Sequence, residues 1–393
     1  MNPQILTTLE NALKECYLPA WQNQLAVEPT PFLSKIKKVP LAGHEIVSTA
    51  PIGLSGGYGG GGEGENTPAA GKVNYERFKS YSKDQYVNIC ISEKAVELGS
   101  KSSGSMINAF EAEIKAGYET AKWNTGRILF GNGTGVLTKI NAYEGNNTLV
   151  VADTKNVKEG LIVDLYKKDA TTKSDTRRIL AVDRVNKKVV LNNAPTDTAL
   201  DEGFMTVQNS YNREFTGVGT IFDDGIDTIY GIKKSENIWL KPIDIAAEGG
   251  HITDGLITKT LRRAKTEKGS NIDTILCGDD AYDAYVEYLR STNNRNEVAT
   301  HDMVGGFQAI TFKFGNKIID VVNEEFVPND QMWGVDSSAF ELHQTDWDFA
   351  TLKGGDIFNL LPDQSVYRAL LRNYGELICN HPGGCFRISG IAA

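Results

Sequence analysis

"TGRILFGNGTGVL", residues 125–137, decides how the chain is read. Gly131, Gly133 and Gly135 alternate with other residues there, as in a loop that wraps a phosphate. A phosphate loop, however, follows a strand and opens a helix, whose free N–H groups and positive dipole end meet the anion. Here the strongest helical pattern of the chain comes first. Over 105–129, "SMINAFEAEIKAGYETAKWNTGRIL", residues Ile107, Phe110, Ile114, Tyr118, Ala121, Thr125 and Ile128 recur at spacings of three and four, one stripe of a helix. "SSGS" before it supplies a cap and a break. At ~1.5 Å per residue the helix spans roughly 37 Å, long for a globular protein. The glycines thus meet a helix C-terminus, where free carbonyls repel phosphate, and no Lys-Ser or Lys-Thr pair follows them. They read as a C-cap and exit turn.

Upstream, residues 43–98 read as two strands, "HEIVSTAPI" and a longer "KVNYERFKSYSKDQYVNICIS", with Val87, Ile89 and Ile91 alternating against Tyr86, Asn88 and Cys90. Between them is a tip, 53–71, in which eight of the twelve residues 53–64 are glycine. An isolated two-stranded hairpin is marginal in water, and ordering glycine costs more backbone entropy than ordering alanine. The hairpin is therefore expected to rest on a partner surface; a flexible linker is the competing reading. Residues 1–42 form an arm: a short helix, then Pro29, Pro31 and Pro40, which forbid long regular structure. It has too few apolar residues for a core of its own and must lie on something else.

Downstream, 99–138 hold the helix and its exit turn. Residues 139–210 change character: "NTLVVAD", "GLIVDLYKK", "TRRILAVDR", "KKVVLN" and "GFMTVQ" are five short β segments, expected as a small barrel or sandwich inserted into a larger fold. Residues 211–393 mix amphipathic helices ("TDGLITKTLRRAKTEKG", "DDAYDAYVEYLRST") with strands ("NIDTILC", "NKIIDVVN", "QMWGVD"), an α+β pattern, and "GELICNHPGGCFRISGI" is expected to close the chain as a hairpin.

Composition narrows the function. The chain has 393 residues, 40% hydrophobic and 23% charged, enough for a real core. No run of about 18 apolar residues would cross a membrane. The opening residues read as an amphipathic helix rather than a secretion signal, so a cytoplasm-like compartment is expected. Net charge is −9, from 41 basic and 50 acidic residues, against a dedicated nucleic-acid binder. Five cysteines make no disulfide framework. Cys379 and Cys385 flank a turn with His381 between them, but no second ligand pair has zinc spacing. His44, His251, His301, His343 and His381 are scattered, and "FDDG" (222–225) and "CGDDAYD" (277–283) read as a turn and a helix start. No catalytic residue, cofactor or metal is expected.

The order of units resembles the major capsid proteins of tailed bacteriophages, the Hong Kong phage type of shell fold. The resemblance rests on "SGGYGGGGEGENTPAAGKVNYERFKSYSKDQYVNICIS", "AKWNTGRILFGNGTGVL", "GTIFDDGIDTIYGIKKSENIWL", "WDFATLKGGDIFNLLPDQSVYRALLRNYGELIC" and "HPGGCFRISGI". It implies an α+β subunit with an N-terminal arm, an extended loop clasping a neighbour, a spine helix, and peripheral and axial domains, with 139–210 as an outward insert. On that reading Gly57, Gly60, Gly62, Lys72, Tyr75, Arg77 and Lys79 serve the inter-subunit loop. Phe110, Ile114, Tyr118 and Trp123 belong to the spine helix, and Gly131, Gly133 and Gly135 to its exit turn. The implied partners are further copies in hexamers and pentamers, a separate scaffolding protein, portal, decoration or head-completion proteins, and packaged double-stranded DNA held weakly, in a virion assembled in a bacterial cytoplasm. Some relatives crosslink a loop lysine to asparagine; Lys72, Lys79 and Lys83 are available, but no reactive pair is identified. The alternatives are an encapsulin-like nanocompartment shell, a nucleotide-dependent enzyme using the glycine loops, and a sugar-binding adhesin.

Overall fold

The computed structural model describes residues 18–25, 30–53, 56–64, 66–94, 103–293, 300–302, 308–351, 356–361 and 364–392, the side chains of 20, 23, 50–52, 74, 103–111, 292, 293 and 301 excepted. The chain divides into two compact units. One comprises Met1–Leu25, Lys83–Thr220 and Trp347–Asn373, the other Ala26–Ser82, Ile221–Asp346 and Tyr374–Ala393.

The first unit is organised by the helix Ser103–Phe130. Its 28 residues span about 42 Å at ~1.5 Å each. Ile114, Tyr118, Ala121, Thr125 and Ile128 of the stripe are buried. The side chains of Ile107 and Phe110 lie outside the described residues. Trp21 and Leu25 from the helix Leu18–Leu25, Ile89 from the strand Lys83–Ser92, and Trp347, Phe349 and Leu371 pack in one cluster with Ile114, Tyr118 and Ala121 of the stripe. Trp21 sits 5.6 Å from the Tyr118 ring and 6.4 Å from Phe349. A Cβ at Gly117 would come within 3.3 Å of Ile89 Cγ1, so the helix and the strand are packed closely here and a larger residue would require the Ile89 side chain to give way.

The same unit contains a closed six-stranded barrel, in the order Phe204–Val207, Val136–Gly145, Thr148–Val151, Lys188–Leu191, Asp175–Asp183, Ile162–Tyr166. Closure leaves no free edge to pair with another chain. Leu137, Ile140, Leu149, Val163, Leu165, Val189 and Met205 fill its core. Five strands were expected; the sixth, Val136–Gly145, begins in what read as the exit turn. Its turn, Asn146–Asn147, has φ of 55° and 86°, as a two-residue hairpin demands.

In the second unit a seven-stranded mixed sheet runs Ile243–Ala246, Phe386–Ser389, Met332–Val335, Thr274–Cys277, Lys317–Asn323, Gln308–Phe314, Thr300–Asp302. Helices Asp254–Lys268 and Asp279–Asn293 pack Ile257, Leu261, Ala281 and Tyr285 against Ile275, Ile310 and Val321. Thr253 caps the first helix by accepting from Leu256 N–H, and Gly269 at φ 66° ends it.

Two expectations are corrected. The long strand over 72–92 is broken at Ser82: Asn74–Tyr81 pairs with Glu45–Ile52, while Lys83–Ser92 pairs with Val366–Cys379. Ser82 N–H bonds to His44 O at 3.0 Å and closes the ladder there. The terminal stretch is not a hairpin either. Pro382–Gly384 is a 3-10 turn, after which Phe386–Ser389 pairs with Ile243–Ala246 and Met332–Val335. A Cβ on Gly383 would lie 1.8 Å from Trp239 O, so the turn is pressed against backbone and redirects the chain.

Candidate functional site

The surface of most functional interest is the ribbon formed by Glu45–Ile52 and Asn74–Tyr81, in the second unit. Period-two alternation gives it two different faces. On one, Ile46, Phe78 and Ser80 are buried. Phe78 lies 5.5 Å from the Tyr230 ring and 6.0 Å from Trp239, and Lys79 N–H donates to Tyr230 O at 3.0 Å. Tyr230 is itself locked: its hydroxyl donates to Leu377 O and accepts from Cys379 N–H, both at 3.0 Å. Burial pushes its phenol well above the ordinary range, so it stays a neutral donor. Tyr230 and Gly231, with φ of 49° and 83°, form the turn of a small hairpin. The sequence reading missed this anchor; the signal was the "YG" pair between "TI" and "IK".

The other face carries Tyr75, Arg77, Lys79 and Tyr81 opposite Val47 and Thr49, all exposed. Tyr75 is 65% and Tyr81 54% accessible. Lys79 reaches Glu45 at 3.4 Å across the ribbon. Lys72 is exposed at the foot of the tip, as are Gly57, Gly60 and Gly62 within it. Two of the tip glycines differ physically. A Cβ on Gly57 would fall 2.8 Å from Gly71 N, whereas one on Gly60 would meet nothing within 4 Å. Gly57 thus serves the ribbon's own crossing. Among the described residues nothing within 4 Å requires glycine at 60.

The end of the long helix is geometrically unambiguous. Gly131 N–H bonds to Ile128 O at 3.1 Å, and Gly133 and Gly135 have φ of 79° and 75°. Val218 N–H donates to Leu129 O at 2.8 Å, and a Cβ on Gly217 would lie 2.4 Å from Gly131 O. Backbone from 217–219 therefore occupies the carbonyl end where a phosphate would have to sit. Gly217 and Gly219 were not singled out from the sequence, although "TGVGT" spaces them for such a contact. The buried Arg127–Glu214 pair holds this segment in place, with Nη1 2.9 Å from Oε2. Trp123 is half-buried one turn earlier, with Lys158 Nζ 4.9 Å above its ring.

The remaining candidates have structural partners. "FDDG" is a turn closed by Gly225 N–H on Asp223 Oδ1 at 2.8 Å, and Asp279 and Asp280 open a helix. Cys277 and Cys379 are buried, and burial holds both thiols above their ordinary range. Burial holds His381 below its own. Among the described residues no three His, Cys, Asp or Glu gather as metal ligands. No helix among the described residues is long and apolar enough to cross a membrane.

No protein-family model matches the chain, and no curated protein matches it. A chain of the cyanophage A-1(L) capsid asymmetric unit is similar at a TM-score of 0.53 and 12% identity, covering 96% of this chain and 93% of that one. The two share a fold. It is the shell fold expected from the sequence. A chain of the satellite phage P4 procapsid including size determination (Sid) protein scores 0.44 at 11% identity, covering 100% and 98%. A chain of the holo-SrpI encapsulin complex from Synechococcus elongatus scores 0.44 at 8% identity, covering 91% and 85%. At those scores neither adds to the assignment.

Proposed function

We propose that the chain is a major capsid protein that self-assembles into hexamers and pentamers enclosing double-stranded DNA in the head of a tailed phage or prophage. The observation that carries this reading is the fold shared with the cyanophage capsid chain over 96% of the present one. The ribbon supports it: one face is anchored on the chain's own unit, while aromatic and basic side chains on the other face solvent. Aromatic and arginine side chains are the groups that interface cores favour. In this reading Tyr75, Arg77 and the tip around Gly60 contact the next copy, and heterologous contacts of that kind close into rings. The spine helix and its exit turn keep the subunit rigid. The barrel is an insert available to decoration proteins, and scaffolding and portal proteins are further partners. The virion is its location, and its net negative charge suits a container that must not grip its DNA.

The test is expression of the chain alone and with a neighbouring scaffold candidate, followed by negative-stain imaging. Closed particles or capsomer rings are expected; a compact monomer at every concentration and with every scaffold overturns the reading.

A further inference from the structure

Within the second unit, a cleft of about 630 Å³ opens between the end of helix Asp254–Lys268 and the hairpin joining Gln308–Phe314 to Lys317–Asn323. Arg262 and Lys265 line it from the helix, three residues apart and so neighbours on its surface. Lys313 and Lys317 line it from either side of the hairpin turn. None of the twelve described residues that line it is acidic. All four cations are exposed, and none has a carboxylate within 4.0 Å among the described residues. In a chain with nine more acids than bases, four uncompensated positive charges around one small cleft repel each other and attract an anion.

An independent feature points the same way. Ser270 lines the cleft and is 6% exposed, and its hydroxyl oxygen is buried with no hydrogen-bond partner among the described residues. A buried polar group normally has one, and turning the Ser270 side chain toward a bound ligand oxygen would supply it. Leu261, Ile272 and the half-buried Phe314 add apolar surface beside the charges. The volume lies within the range of small-molecule sites.

We propose that this cleft binds the phosphate groups of a nucleotide, with the four cations on the phosphates, the Ser270 hydroxyl on one phosphate oxygen and the apolar wall against the base. The nucleotide is either free, as a nucleoside triphosphate, or one unit of a single strand. Phosphate is favoured over an acidic peptide because the cleft presents two lysines and an arginine-lysine pair in a concave site of nucleotide size with a base-compatible wall, not an extended groove. This differs from the glycine-loop idea, since none of Gly131, Gly133 or Gly135 takes part.

The experiment uses the purified full chain and reads fluorescence anisotropy of a labelled ten-nucleotide single-stranded DNA and of a labelled ATP analogue. Sodium tripolyphosphate and polyglutamate of matched charge serve as competitors. Expected are saturable binding displaced by tripolyphosphate and, with four contacts at about −0.7 each, an oligonucleotide affinity that falls roughly 50-fold from 50 to 200 mM salt. K265Q/K313Q is expected to weaken binding at least ~10-fold without moving the unfolding midpoint, because both side chains are exposed. S270A, which changes no charge, is expected to weaken it about five-fold. Preference for the ATP analogue marks a free nucleotide, and preference for the strand marks polynucleotide; either supports the proposal. No binding of any probe, variants that bind as the parent does, or polyglutamate competing as well as tripolyphosphate overturns it.

Discussion

The arm and the ribbon both read, in sequence, as segments unable to fold alone, yet the chain treats them differently. The described part of the arm is absorbed. Trp21 and Leu25 enter the core of one unit, and Phe32, Leu33 and Ile36 are buried in the other, where Phe32 meets Phe340 edge-on at 5.2 Å. Thr30 even caps a short helix, Pro31–Lys35, and Lys37–Pro40 adds a parallel strand to Phe340–Gln344. These residues of the arm thus lean on other parts of their own chain. The ribbon is absorbed on one face only. A few large apolar side chains at the right period suffice for order within the chain, and a segment whose outer face is tyrosine, arginine and glycine leaves that face to solvent.

This contrast can be attacked in order of expected effect on the isolated chain. Trp21→Ala removes a ring that touches Tyr118 and Phe349, and Phe78→Ala removes the ribbon's anchor under Tyr230. Each is expected to cost about 3–5 kcal/mol, read as a lower urea midpoint. Equal stability to the parent for Trp21→Ala would mean that the arm is not integrated at all.

A smaller effect concerns the arm's strand. Lys37 Nζ lies 2.6 Å from Glu341, and that hydrogen bond, opposed by burial, holds the Glu341 carboxyl below its ordinary range. The folded state then binds fewer protons than the unfolded state, so the contribution is complete above the ordinary value of 4.5 and disappears as pH falls through the folded value. Because Lys37 is largely exposed, the contribution is no more than about 1 kcal/mol. Lys37→Gln should flatten the acid side of the midpoint-versus-pH curve and leave the neutral side little changed.

The smallest effect on stability is expected at the ribbon's outer face. Tyr75→Ser with Arg77→Ser should shift unfolding by no more than about 0.5 kcal/mol, since both side chains are exposed. The same pair should abolish particles or rings in negative stain. Gly60→Ala sharpens the point: the added Cβ meets no atom of the described residues within 4 Å, so a loss of assembly with unchanged stability would place a neighbour against that Cα. Unaltered assembly in both variants would remove the ribbon from the interface.

Much of the fold was legible because periodicity reports burial. The helical stripe, the barrel segments and both later helices stand near their expected positions, since each carries enough apolar residues at one period to declare its inner face. The failures share a cause. Ser82 and the Pro382–Gly384 turn look local, but the partner each strand takes is set by distant residues, such as Lys83–Ser92 finding Val366–Cys379. Nothing near Ser82 in sequence records that choice. The ribbon's outer face was half legible: its residue types were noted, but only Tyr230 beneath Phe78 explains which face turns outward.

By itself, the order of residues settled that Gly131, Gly133 and Gly135 follow a helix, because a macrodipole has one direction and the chain runs one way along it. It also settled the inner stripe of that helix and the β character of the segments after it. Only tertiary structure decided that the arm folds onto its own units, that the ribbon keeps one bare face, and that Arg262, Lys265, Lys313 and Lys317 surround one cleft. Those outcomes depend on residues brought together from far along the chain, and proximity of that kind leaves no mark in local spacing.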